Sequence, residues 1–256
     1  MPSTSKLLQC SAFDGMDRIA HGFTTRAEDL ADLGNTGLAG GGDLATAQTN
    51  RRLWAGAVLA DAPLVGVYQI HSAEVVTVSA PWDDANRPKA DAMVTDQSNI
   101  LLGVLGADCA PVLLADDAAG VVGAAHAGWQ GALAGVTDAT VDAMEKLGAT
   151  RESIIAAIGP CIAQKSYEVD SGFYRRFCEA DAENERFFGA GKDGERHQFD
   201  LEGYIAARLS SCGVHTVACM GEDTYTQPDR FFSHRRATHE ARDNEGRQLG
   251  MIGLRA

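Results

Sequence analysis

The sequence predicts a single domain mixing strands and helices, α/β or α+β, and three observations carry that prediction. Ile100–Leu105, Val112–Ala115, Val121–Ala125 and Ile154–Ile158 are short continuous apolar runs, the pattern of strands buried on both faces. Leu133, Val136, Thr140, Met144 and Leu147 recur at three- and four-residue steps and stop at Gly148, as an amphipathic helix does. The chain has 256 residues, 45% hydrophobic and 22% charged, enough for one large core. No repeat, linker or low-complexity tract divides it, so residues 1–256 read as one domain.

Taken in order, residues 7–25 read as short strands, and glycine-rich Gly34–Gly42 reads as a loop. Asp43 is placed to cap a helix over Leu44–Leu59. Asn50 and Arg51 fall on its partly polar inner face, where they can point into a cleft. Leu64–Ile70 and Val75–Val78 read as strands around a tight turn, followed by a Pro81–Pro88 loop and by Ala90–Thr95 leading into the first buried run. Asp116–Gly120 joins two buried runs as a turn. Beyond Ile154–Ile158, Gly159-Pro160-Cys161 punctuates the chain, and Phe173, Tyr174, Phe177 and Cys178 share a helical face. Glu179–Arg196 reads as a long charged surface loop. Asp200 caps a helix with Leu201, Ile205 and Leu209, Val214–Met220 reads as a strand, and Phe231–Arg236 and Met251–Leu254 read as closing strands.

The formal net charge of -13 argues against a broad nucleic-acid footprint, although a local basic pocket for a small anion is compatible with it. No stretch approaches the roughly 18 apolar residues of a membrane span. Met1–Cys10 lacks the pattern of a secretory signal. Six cysteines without a CxxC pair read as reduced thiols, so the expected location is the cytoplasm.

Chemistry concentrates in Ala107–Gly131. Cys109 and His126 lie at the ends of apolar runs beside small residues, and His71 ends another. Strand ends in one sheet converge, and two imidazoles with one thiolate suit zinc while leaving a fourth position open. The same trio suits copper, although the seven histidines contain no His-x-His pair. Cys109 with His126 as its base would instead make a nucleophile without a metal. Buried core residues are the bland alternative. Among arginines near glycines or aromatics, Arg26, Arg51, Arg235, Arg236 and Arg247 are candidate anion contacts, with Arg51 beside Asn50 and the Arg235-Arg236 pair foremost. Asp108 can orient a ligand, and Glu168 in Tyr167-Glu168-Val169 can exchange a proton.

These motifs occur together in one known order: Gln69-Ile70-His71, Ala107-Asp108-Cys109-Ala110-Pro111, His126-Ala127-Gly128-Trp129-Gln130-Gly131, Gly159-Pro160-Cys161-Ile162 and Phe231-Phe232-Ser233 followed by Arg235-Arg236. From about His21 onward the chain resembles the laccase-domain, or multicopper polyphenol oxidoreductase, family, whose members are reinterpreted as purine nucleoside phosphorylases and adenosine deaminases. The resemblance implies an α+β fold of two packed mixed sheets flanked by helices, a four-layer α/β/β/α arrangement similar to a bacterial deamidase toxin. It implies His71, Cys109 and His126 as ligands of zinc, or alternatively copper, and Asn50-Arg51 as a contact for phosphate or ribose. The implied partners are a purine nucleoside and inorganic phosphate, in a monomer or homodimer, with Cys109, Asp108 and Glu168 as catalytic candidates. The alternatives are a copper polyphenol oxidase and a cysteine-dependent peptidoglycan-editing hydrolase. The chain departs from the family pattern at Arg26-Ala27-Glu28-Asp29, Gln130, Asp223-Thr224 and Arg235-Arg236-Ala237-Thr238, positions that bear on substrate contacts rather than on the metal trio.

Overall fold

The computed structural model describes residues 6–38, 43–242 and 246–256; the start of the N-terminal stretch and residues 39–42 of the glycine-rich loop lie outside the described residues. Its first half runs β1 (Leu7–Leu8), β2 (Ile19–Thr24), α1 (Leu44–Val58), β3 (Leu64–Val65), β4 (Val75–Thr77), β5 (Ala92–Thr95), β6 (Leu101–Gly106), β7 (Ala110–Asp116) and β8 (Val121–Ala127). Then come α2 (Trp129–Ala134), α3 (Val136–Lys146), β9 (Ile155–Ile158), β10 (Glu168–Asp170), α4 (Ser171–Ala180), β11 (Phe188–Ala190) and β12 (Arg196–Phe199). The chain closes with α5 (Leu201–Ser211), β13 (Thr216–Cys219), α6 (His234–His239) and β14 (Gln248–Leu254). No helix among the described residues is long and apolar enough to cross a membrane.

Two mixed sheets carry the fold, in the orders β13-β9-β7-β8-β5-β4 and β1-β2-β14-β6-β3. The pairs β13–β9, β4–β5 and β3–β6 are parallel. Along β7 the side chains alternate with the two-residue period of a strand. Leu113 and Ala115 enter a core shared with Phe23, Leu102, Val104 and Ile252 of the other sheet. Val112 and Leu114 enter a second core with Val141 and Met144 of α3 and Ile205 and Leu209 of α5. On the far side, Trp54 and Ala55 of α1 cover Leu101, Leu249 and Met251. The layers are therefore helix, sheet, sheet, helix, as expected. Covering both sheet faces explains why these strands read as unbroken apolar runs. Gly159 ends β9 where the sheets meet, and any Cβ there would run into the Phe23 ring.

Four local expectations change. The apolar run expected to form one strand over Leu64–Ile70 pairs only at Leu64–Val65. Beyond it, the Gln69 amide replaces a strand residue, its Nε2 donating to the Leu105 carbonyl at 2.9 Å and its Oε1 accepting the Leu105 N–H at 2.8 Å. The expected helix after Gly131 is two helices, broken at Gly135, whose φ of 89° is left-handed. The charged Glu179–Arg196 stretch is not a loop. It holds the 3-10 turn Ala182–Phe187 and β11, which joins β10 and β12 in a three-stranded sheet over Phe177 and Phe199. Its apolar anchors, Phe187 and Phe188, are scattered among charges, so no periodicity betrayed them. The expected closing strand Phe231–Arg236 becomes the entry to α6, because the Ser233 hydroxyl accepts the Arg236 N–H at 3.1 Å and caps the helix.

His21, buried on β2, accepts the Cys10 N–H on Nε2 at 2.8 Å. Burial, reinforced by Arg255 and opposed by Asp14, pushes its pKa down to about 4. The unfolded chain therefore binds a proton between about pH 6.5 and 4 that the folded chain refuses. The stabilisation is complete above that window and is lost as pH falls through it, by about 3 kcal/mol in all. Thermal unfolding of His21→Gln is expected to be less stable at neutral pH and flatter against pH across this window. Parallel profiles for the two proteins would refute this.

Candidate metal centre

The centre forms where the two sheets exchange strands. β6 belongs to one sheet and β7 to the other, and the turn Ala107–Cys109 carries the chain between them. That turn needs Asp108 at a φ of 87°, and His71 likewise sits at 61°. Two left-handed non-glycine residues at one place mark strain of about 1–3 kcal/mol each that the surroundings must hold. For Asp108 the holders are the Thr224 hydroxyl and the Arg235 N–H, each donating to its carboxylate at 2.6 Å. For His71 the holder is Asp91, which sequence reasoning missed. Fully buried, Asp91 accepts the N–H groups of Ile70, His71 and Ser72 at 3.1, 2.9 and 2.6 Å, and the Ser72 hydroxyl at 2.8 Å. It also accepts His126 Nδ1–H at 2.8 Å, while its own carbonyl accepts the His126 N–H at 2.7 Å. An ionised carboxylate only accepts, so Nδ1 keeps its proton and Nε2 faces the cluster. A charge inside the apolar Ala90–Thr95 run was the available signal.

The donor atoms of His71, Cys109 and His126 all lie within 4.8 Å of one another, with Cys109 Sγ 3.9 Å from His71 Nε2. The two rings meet edge to face, their centres 4.9 Å apart. Donors around tetrahedral zinc stand about 3.3–3.7 Å apart, so only small adjustments separate this arrangement from a ligand set. Gly128 permits the approach: a Cβ there would lie 2.8 Å from His71 Cδ2 and 2.9 Å from Cys109 Sγ. Burial pushes the Cys109 thiol up, but His126, with help from His71, outweighs it and holds the pKa down to about 6. Burial pulls His126 down, yet the Cys109 thiolate and Asp91 bring it up to about 9. Cys109 is thus a thiolate at neutral pH, the form that ligates metals.

Two cavities meet at the cluster, sharing His71, Ala107, Cys109 and His234. The larger, about 410 Å³, is lined further by Tyr68, Arg87, His126 and Arg247, and by no carboxylate among the described residues. The smaller, about 260 Å³, is walled by Trp129, Ile162, Tyr167 and Leu201, with Asp108 and Arg235 at its edge. Arg247 is largely buried, and burial lowers its pKa against the pull of Cys109 and Asp108.

Of the other expected anion contacts, Arg235 alone reaches either cavity. Arg26 donates to the Pro228 carbonyl over the Phe232 ring. Arg236 is buried and ties the carbonyls of Thr224, Tyr225 and Phe231 together. Asn50 joins the carbonyls of Ala31 and Asn35, and Arg51 lines a different cavity. Arg235 borders the smaller cavity, its guanidinium over Tyr167 and donating to the Glu168 carbonyl. Glu168 lines neither cavity and points a carboxylate oxygen at Lys192, 3.7 Å away.

Residues 20–255 match the family described as multi-copper polyphenol oxidoreductase laccase. A purine nucleoside phosphorylase from Streptomyces coelicolor is 38% identical over 221 residues, 86% of this chain and 87% of that protein. One from Deinococcus radiodurans is 35% identical over 247 residues, covering 92% and 89%. Among solved structures, a Neisseria meningitidis protein superposes with a TM-score of 0.85 at 29% identity, over 98% of this chain and all of that one. The YlmD protein from Geobacillus stearothermophilus superposes with a TM-score of 0.83 at 26% identity, over 100% and 98%.

Proposed function

Because the chain belongs to the multi-copper polyphenol oxidoreductase laccase family, whose relatives here are named purine nucleoside phosphorylases, we propose that it is a metal-dependent purine nucleoside phosphorylase that also deaminates adenosine, with zinc at His71, Cys109 and His126. One observation carries the reading. In a chain of net charge -13, the cavity opening on the cluster presents Arg87 and Arg247 and no carboxylate among the described residues. Such a cavity attracts an oxyanion such as phosphate. The smaller cavity, between Trp129 and Tyr167, has the apolar walls that accept a flat purine ring. A nucleoside spanning the two places its glycosidic bond beside the cluster.

In phosphorolysis a phosphate oxygen bonds to C1′ of the ribose as the C1′–N9 bond breaks, and the base leaves with the electron pair and takes a proton. In deamination water adds at C6 of adenosine and ammonia departs, giving inosine. A bound zinc ion supplies a Lewis acid and an activated water for such chemistry. Arg247 and Arg87 hold and orient the phosphate. His234 borders both cavities without belonging to the trio, which makes it our candidate for delivering the proton to the departing base. Adenosine, inosine and methylthioadenosine are the proposed substrates.

The family description suggests copper, and the donor set is compatible with it. A multicopper oxidase needs further ligand clusters, and the described residues contain this one alone. Incubating pure protein with adenosine, with and without phosphate, is expected to yield adenine with ribose 1-phosphate only when phosphate is present, and inosine in both cases. Absence of all these products above a Cys109→Ala control would sink the proposal. Arg247→Gln is expected to raise the KM for phosphate about tenfold, the worth of a charge-assisted contact, with little change in the KM for nucleoside. Equal changes in both would remove Arg247 from the phosphate site.

A further inference from the structure

Asp223 lies in the irregular stretch between β13 and α6, yet it is only 4% exposed. Its carboxylate carries a full set of donors. Oδ1 accepts the N–H groups of Ala163 and Tyr225 at 3.2 and 3.1 Å. Oδ2 accepts the hydroxyls of Ser166 and Thr226 at 2.7 and 2.9 Å. An ionised carboxylate offers about four acceptor sites and donates nothing, so these bonds fill it. The backbone joins the same two segments, with the Cys161 N–H donating to the Glu222 carbonyl at 3.3 Å and the Thr224 N–H to the Cys161 carbonyl at 3.0 Å.

The function of the tie follows from what it joins. Ala163 is the chain neighbour of Ile162 and Ser166 that of Tyr167, and Ile162 and Tyr167 both wall the smaller cavity. The chain between these two walls is a single 3-10 turn, Gln164–Ser166, and one isolated turn has no stability of its own. On the other side of the tie, Thr224 follows Asp223 in the chain and donates its hydroxyl to Asp108, at the edge of the same cavity. Asp223 itself lines neither cavity, and none of its four partners lines the larger one that holds Arg87 and Arg247. Its influence therefore runs through its neighbours, and toward one cavity.

We propose that Asp223 is the positioning residue of the purine site, its carboxylate holding Ile162 and Tyr167 in the arrangement that accepts the base. This rests on the reading of the smaller cavity as the purine site. Walls already held in place need no ordering when the ligand arrives, whereas walls released by loss of the tie must be ordered at the expense of binding.

The test is calorimetric titration of the zinc-loaded full chain with inosine in the absence of phosphate, so that neither phosphorolysis nor deamination consumes the ligand. It is paired with the KM for phosphate and with metal content. Asp223→Ala is expected to weaken inosine binding about tenfold, the cost of ordering a few side chains, while phosphate KM and metal content stay as in wild type. Asp223→Asn is expected to restore most of that loss. Its amide oxygen accepts the two N–H groups, and the hydroxyls of Ser166 and Thr226 rotate to accept from its amide N–H. No inosine binding by wild type overturns the purine-site reading and this proposal with it. Wild-type binding that Asp223→Ala leaves unchanged overturns this proposal alone. Equal losses for inosine and phosphate, or loss of metal, show a general structural role and overturn it too, as does an Asp223→Asn no better than Asp223→Ala. Should Asp223→Ala fail to fold, Ser166→Ala removes the donor beside Tyr167 and is expected to weaken inosine binding several-fold; unchanged binding there refutes the tie.

Discussion

Replacing Asp91 with alanine is expected to destabilise the protein by about 3–5 kcal/mol, the range for leaving buried partners of a charge unpaired, and to weaken metal binding about 10- to 100-fold. The substitution takes from the N–H groups of Ile70, His71 and Ser72 and from the His126 ring proton the buried carboxylate that accepts them. It also frees two of the three proposed ligands together. The backbone turn that presents His71 loses its anchor, and His126 loses the bond that fixes its tautomer. Thermal unfolding should fall by about 10 °C, at a few degrees per kcal/mol for a chain of this size. Asp91→Asn should lie between, since an amide can accept some of these hydrogens but presents its own N–H to others. A metal titration that leaves affinity unchanged in Asp91→Ala would show that packing alone positions the trio.

Cys109→Ala is expected to remove bound metal and lower turnover at least 100-fold, since a lost ligand costs more than a lost supporting hydrogen bond. The fold should survive, because Cys109 is only part-buried and lines the cavities rather than the packed cores. The same variant separates the rival chemistries. A cysteine nucleophile predicts activity that persists after chelation and disappears on thiol alkylation. A metal centre predicts loss on chelation, with recovery when zinc is returned. Metal analysis of protein purified without added metal distinguishes zinc from copper directly.

Much of the architecture was legible because it depends on patterns that repeat. Strands covered on both faces must be apolar throughout, so Leu101–Gly106, Ala110–Asp116, Val121–Ala127 and Ile155–Ile158 declared themselves. Asp43 and Asp200 announced the starts of α1 and α5, and each accepts the backbone N–H expected of a cap. The elements that escaped had weak or competing signals. Phe187 and Phe188 lie in a run of charges, and Phe231-Phe232 looked like a strand until the Ser233 cap turned the chain into α6.

By itself the sequence determined the kind of site: a thiol and two imidazoles at the ends of apolar runs, beside glycines that let them approach, in motifs that point to one family. Those residues are chemically unlike their surroundings, so their types alone speak. Only the tertiary structure decided what surrounds them. Arg26, Arg51, Arg235, Arg236 and Arg247 are the same letter in the sequence, yet one ties backbone carbonyls together, one lines a separate cavity, and Arg247 faces the cluster. Where a guanidinium points depends on the path of the backbone beneath it and on which carbonyls lie within reach, and neither is a local property. Asp91 makes the same point from the opposite side. It is one carboxylate among 35 acidic residues, and only the convergence of three N–H groups and an imidazole on its oxygens identifies it as the residue that holds the centre together.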